Sequence, residues 1–164
     1  MLENLKYAGI MLGLIIIQKT FIWLIAVTSY EITPDIVMIG LVYLGIKKGK
    51  IPGSAGGFIS GLVLDILSFS FIGLMALSKS ASGFLSGFFN TESKIERYLS
   101  SYIFVLIVLF CSLVNNVIYF TIYFQGTNLV FQDILFRYVL PSSVYTAILS
   151  TLPIIFARRR RFAR

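Results

Sequence analysis

Hydrophobic side chains make up 57% of the 164 residues before 13 Gly are counted, and charged ones only 13%. Soluble domains hold ~45–50% apolar residues with Gly included and ~25% charged. A soluble fold of this size cannot hide so much apolar surface, whereas a bilayer solvates it; the reading is a single integral membrane domain, 1–164, of all-α class. The net charge of +7 lies in short clusters between apolar runs, a pattern of membrane orientation rather than of nucleic-acid binding. There is no His and one Cys, Cys111, which removes the commonest general base and transition-metal ligand and any intrachain disulfide.

Six apolar stretches follow in chain order, to be set against the ~17–25 residues of a spanning helix. The first covers about 5–28 and is interrupted by Gln18-Lys19-Thr20. It is longer than a signal-peptide core, and Ala26-Val27-Thr28 is a poor cleavage site, so it reads as retained. The second, 34–46, opens with Thr33 as N-cap, Pro34 at the first helical position and Asp35 in the first turn, and closes at Lys47-Lys48-Gly49-Lys50. The third, 51–68, starts at Pro52-Gly53, and a tight turn leads into the fourth, 69–89. Asn90-Thr91-Glu92-Ser93-Lys94 precedes the fifth, 99–124, and Gln125-Gly126-Thr127-Asn128 precedes the sixth, 134–157, which Pro141 and Pro153 are expected to bend. At ~1.5 Å per residue the second stretch rises about 20 Å against a core of ~30 Å. The second and third helices therefore read as a compact inner pair.

The basic residues set the orientation. With the N-terminus in the cytoplasm and six crossings, Lys6, Lys47, Lys48, Lys50, Lys94, Arg97, Arg158, Arg159, Arg160, Arg161 and Arg164 fall inside, and the outer loops hold no Lys or Arg. Both ends are then cytoplasmic, with Arg158 to Arg161 as a topology lock that also suits anionic lipid. Lys19, Lys79 and Arg137 remain within apolar stretches.

Gly53, Gly57, Gly61 and Asp65 recur every four residues on the third helix, and Lys79, Gly83 and Gly87 do so on the fourth. Small residues at that spacing let helix backbones approach, as a packing seam or as a groove for a partner. Charge within a bilayer is costly, by ~2.5–3.5 kcal/mol on insertion scales, and favours pairing. Asp65 and Lys79 are the candidate pair, with Lys19 and Arg137 as other partners. Asn115 and Asn116 are placed to bond across helices. No nucleophile–base pair, metal-ligand cluster or phosphate loop is present, so neither an enzyme nor a cofactor is expected.

Gln18, then Pro34-Asp35 opening a short helix, then Gly56-Gly57-Phe58-x-x-Gly61-Leu62-x-x-Asp65, then Gly73-Leu74-x-Ala76 resemble the MreD family of rod shape-determining membrane proteins, mainly over 17–87. The sequence departs from the family where a Pro often precedes the Gly of the fourth helix; here Phe71-Ile72 precede Gly73. The resemblance implies a six-helix transmembrane bundle similar to the substrate-binding subunit of energy-coupling-factor transporters. It implies a non-catalytic scaffold of the elongation machinery in the bacterial inner membrane, supporting rod shape and peptidoglycan synthesis. MreC would be its direct partner, and MreB, RodA and a class B penicillin-binding protein indirect ones. The alternative is a small-solute (vitamin) binding subunit of such a transporter. That class usually carries Ala-x-x-x-Ala in its first helix, which only Gly9-x-x-x-Gly13 approximates here.

Overall fold

The computed structural model describes residues 2–20, 34–69, 71–127 and 130–154. These are all-helical, with no strand among the described residues. The elements are α1 (Leu2–Thr20), α2 (Ile36–Lys48), α3 (Lys50–Ser68), α4 (Leu74–Ser86) with a 3-10 turn at Gly87–Phe89, α5 (Ile95–Leu99), α6 (Ile103–Tyr123), α7 (Phe131–Ile134), a π-helical stretch at Leu135–Val139, and α8 (Leu140–Leu149). Trp23, Thr33 and the remainder of 21–33, Asn128, and the tail with Arg158, Arg159, Arg160 and Arg161 lie outside the described residues. Two of these helices, α3 and α6, are long and apolar enough to cross a membrane.

Several boundaries have local causes that apolar runs do not reveal. Asp35, expected in the first turn, is itself the N-cap of α2, and its side chain accepts from the Met38 N–H. The fourth helix starts at Leu74 rather than 69, because Phe69 (φ 51°) and Gly73 (φ 101°) both take left-handed backbone and turn the chain. The helix of the fifth stretch starts at Ile103 rather than 99, because Ser100, whose hydroxyl donates to the Glu96 carbonyl and whose N–H bonds the same oxygen, closes the short α5 just before it. In the last stretch, Pro141 enters α8 without an N–H to give residue 137. The preceding turn is correspondingly wide, with the Leu140 N–H bonding Leu135 O.

At the centre stands α2. Val37, Leu41, Val42 and Ile46 have no exposed surface, and the helix touches α1, α3, α4, α6 and α8. Around it, apolar side chains also face outward and polar ones inward. Ile51, Phe69, Phe71, Ile72 and Leu106 point outward, while Asp65, Lys79, Asn115, Asn116 and a set of Ser side chains are buried. The two ends of the bundle also differ. Around the end of α2 lie Lys47, Lys48 and Lys50, with Gly87 against Lys50 and Asn90 donating to the Ile46 carbonyl at 2.8 Å. At the opposite end α2 begins, α3 turns into α4, and the acids Asp35 and Asp65 gather.

Candidate functional site

The acid-bearing end is assembled around unsatisfied helix N-termini. Free N–H groups at a helix start need acceptors when water is excluded. For α2 they come from three places: Asp35 caps Met38 N–H at 3.0 Å, Gln18 Oε1 of α1 takes Val37 N–H at 2.9 Å, and Thr146 Oγ1 of α8 takes Asp35 N–H at 3.0 Å. For α4 the acceptor is Asp65. Its carboxylate receives the N–H groups of Gly73 (2.9 Å), Met75 (3.1 Å) and Ala76 (3.2 Å), charge-assisted bonds aligned with the helix dipole.

Asp65 and Lys79 therefore do not form the ion pair expected of them. The Lys79 ammonium pairs with Asp35 instead. Distance along a helix misleads here, because Asp65 is turned toward the start of α4 while Lys79, further along α4, reaches the start of α2. The other two cations in apolar stretches also find partners close by. Lys19 donates to Ser68 Oγ, and Arg137 lies 3.4 Å from Asp133 on the surface.

The glycine stripes meet one another. A Cβ at Gly57 would overlap the Lys79 carbonyl, one at Gly61 the Met75 carbonyl, and Gly53 and Gly83 would each overlap the other's carbonyl. At Gly87 it would strike Lys50 Cα. Ser54 and Ser80 hydroxyls share a 2.9 Å bond across the same seam. The stripe on α3 is thus filled by α4, and no groove for an outside helix remains there.

Between the end of α1, the start of α2, α3, the first half of α4, the second half of α6 and the start of α8 lies a cavity of about 330 Å³. Asp35, Lys79, Gln18, Ser78, Ser142 and the amides of Asn115 and Asn116 form its polar wall. Asn116 Nδ2 donates to Ser143 Oγ of α8 at 2.9 Å, and Asn115 Nδ2 to Asn116 Oδ1 at 3.1 Å. The opposite wall is aromatic: Tyr119, Phe120, Tyr123 and Phe124 from α6 and Tyr138 from the π stretch. The aromatic wall was not singled out from the sequence, although Tyr119 and Tyr123 stand in the fifth apolar stretch. Their four-residue spacing on the face that carries Asn115 and Asn116 was the available signal for a lined cavity.

No family model, curated protein or solved structure matches the chain.

Proposed function

We propose that the chain is a six-helix integral membrane protein with both ends in the cytoplasm. In this reading it acts as a non-catalytic scaffold of the bacterial elongation machinery, binding MreC and supporting rod shape and peptidoglycan synthesis. The membrane part is supported by the outward apolar surface, the buried polar interior and the basic residues around the end of α2. One observation carries the family part. Residues of the resemblance far apart in sequence join neighbouring helices: Gln18 and Asp35 hold the start of α2, Asp65 holds Gly73 and Ala76 at the start of α4, and Gly57 and Gly61 admit α4 along α3. A motif whose members meet in space is a unit of architecture rather than a chance of composition. Because α4 fills the glycine stripe, the MreC contact belongs on another face of the bundle.

Affinity purification of the tagged protein from its native membrane tests this reading. A single-pass protein with an extracytoplasmic coiled coil is expected in the eluate. ATPases, or a tightly held vitamin, would overturn the scaffold and favour the transporter subunit.

A further inference from the structure

We propose that the groove between α1 and α3 holds an acyl chain of an anionic phospholipid of the cytoplasmic leaflet, with the lipid phosphate on Lys48. Such a site requires the membrane topology proposed above, but not the choice of assembly. The groove has a volume of about 450 Å³ and runs between Leu12 and Ile15 of α1 and Ala55, Ile59 and Val63 of α3, with Tyr7 and Lys48 at one end.

Each attribute of the ligand follows from this geometry. From Pro52 at the basic end to Val63, α3 rises about 16 Å at ~1.5 Å per residue. That is half of a hydrocarbon core of ~30 Å, or one leaflet. Below Tyr7 and Lys48 the one polar side chain lining the groove, among the described residues, is Ser60, and its hydroxyl already donates to the Gly57 carbonyl at 3.2 Å. The occupant of that part is therefore a hydrocarbon. The methyl side chain of Ala55 leaves the space open, and Leu12 and Ile59, 53% and 63% exposed, form rims that a chain can pass sideways from the bilayer. Charge comes from the mouth. Lys48 is half-buried with its ammonium 5.4 Å from the centroid of the Tyr7 ring, and the exposed Lys47 donates to the Tyr43 hydroxyl at 3.4 Å. Both stand in the last turn of α2, where long stems carry an ammonium to headgroup level and basic side chains attract anionic lipid. Orientation alone asks for cations on this side of the membrane. It does not ask that one stand at the mouth of an apolar groove one leaflet long. A transmembrane helix, the other apolar occupant, brings no fixed charge to Lys48, whereas a phospholipid brings one.

The test is native mass spectrometry of the full chain, released from micelles that contain equal amounts of phosphatidylglycerol and phosphatidylcholine with the same acyl chains. Retention of phosphatidylglycerol is expected, preferred over phosphatidylcholine by about fivefold or more. Lys48→Gln is expected to lower that preference about fivefold while still retaining lipid. Ala55→Phe places a ring in the groove from an exposed position. It is expected to retain neither lipid, with its unfolding temperature in lipid-free detergent unchanged. Equal retention of the two lipids by the wild type, an unchanged preference in Lys48→Gln, or undiminished retention by Ala55→Phe would overturn the proposal. So would loss of a co-purifying membrane protein from Ala55→Phe with lipid retention intact, which assigns the groove to a partner helix. A chain that stays in solution without detergent would overturn the membrane topology as well, whereas one that needs detergent but does not select phosphatidylglycerol overturns this site alone.

Discussion

Asp35 and Lys79 are 44 residues apart and meet almost out of reach of water. Removing one partner of a buried pair leaves the other uncompensated, at a cost of ~3–5 kcal/mol. Asp35→Ala and Lys79→Ala are each expected to lower stability on that scale in denaturant titrations of the purified protein. The double variant should be milder than the sum by at least ~1 kcal/mol. Asp65→Asn is expected to lose about 1.5–3 kcal/mol, since it keeps the shape but not the charge that holds three N–H groups. Combined with Lys79→Ala it should be close to additive, because the two side chains serve different helix starts. A coupling between Asp65 and Lys79 as large as that between Asp35 and Lys79 would contradict the arrangement. None of this partner choice was legible in the sequence. Carboxylate and ammonium announce themselves as needing company, but Asp65 is satisfied by backbone N–H groups, which carry no residue identity.

Among the elements, the α3–α4 pair was the most readable and α6 and α8 the least. Gly53, Gly57 and Gly61 repeat every four residues, which on a helix means one face and on two neighbouring helices means a close approach; the carbonyls of Gly83, Lys79 and Met75 lie where their Cβ atoms would be. Gly57→Ala and Gly61→Ala are each expected to cost ~1–3 kcal/mol by forcing the backbones apart, measured as a lower unfolding midpoint. Gly13→Ala is the contrasting case. A Cβ there meets nothing within 4 Å, so the expected change is a gain of up to about 1 kcal/mol from a stiffer helix. The break before α6 and the π stretch before α8 were not legible, because neither follows from the lengths of the apolar runs. What decides them is local: a Ser100 hydroxyl returning to the Glu96 carbonyl, and the N–H that Pro141 lacks. The cavity followed suit, since its walls come from six separated segments whose juxtaposition no single periodicity encodes.

At the scale of the whole molecule, the proposed topology places 92 and 127 on opposite sides of the bilayer. Cys111 is fully buried and gives little background to a thiol reagent. Thr127→Cys is therefore expected to react with a membrane-impermeant maleimide added to intact cells, or to spheroplasts where an outer barrier intervenes. Glu92→Cys should react only after permeabilisation. Equal labelling of both, or the reverse order, would rule out the six-crossing arrangement with cytoplasmic ends. All-helical class was legible from the long continuous apolar stretches, since the strands of a membrane barrel alternate apolar and polar residues instead. Of the two helices expected to form an inner pair, α2 is central, whereas α3 leaves Ile51, Phe58, Ile59 and Ile66 exposed.

The Asp65 cap also bears on how the chain is made. In the proposed topology its N–H partners arrive eight to eleven residues later in synthesis, and until then they do not offset the ~2.5–3.5 kcal/mol that opposes transfer of a carboxylate to hydrocarbon. Release of α3 into lipid by itself is disfavoured, and release together with α4 is not. The two are expected to leave the translocon as one hairpin, so that a photo-crosslinking residue in α3 contacts the translocon in a nascent chain arrested just beyond α3 and lipid in one arrested beyond α4.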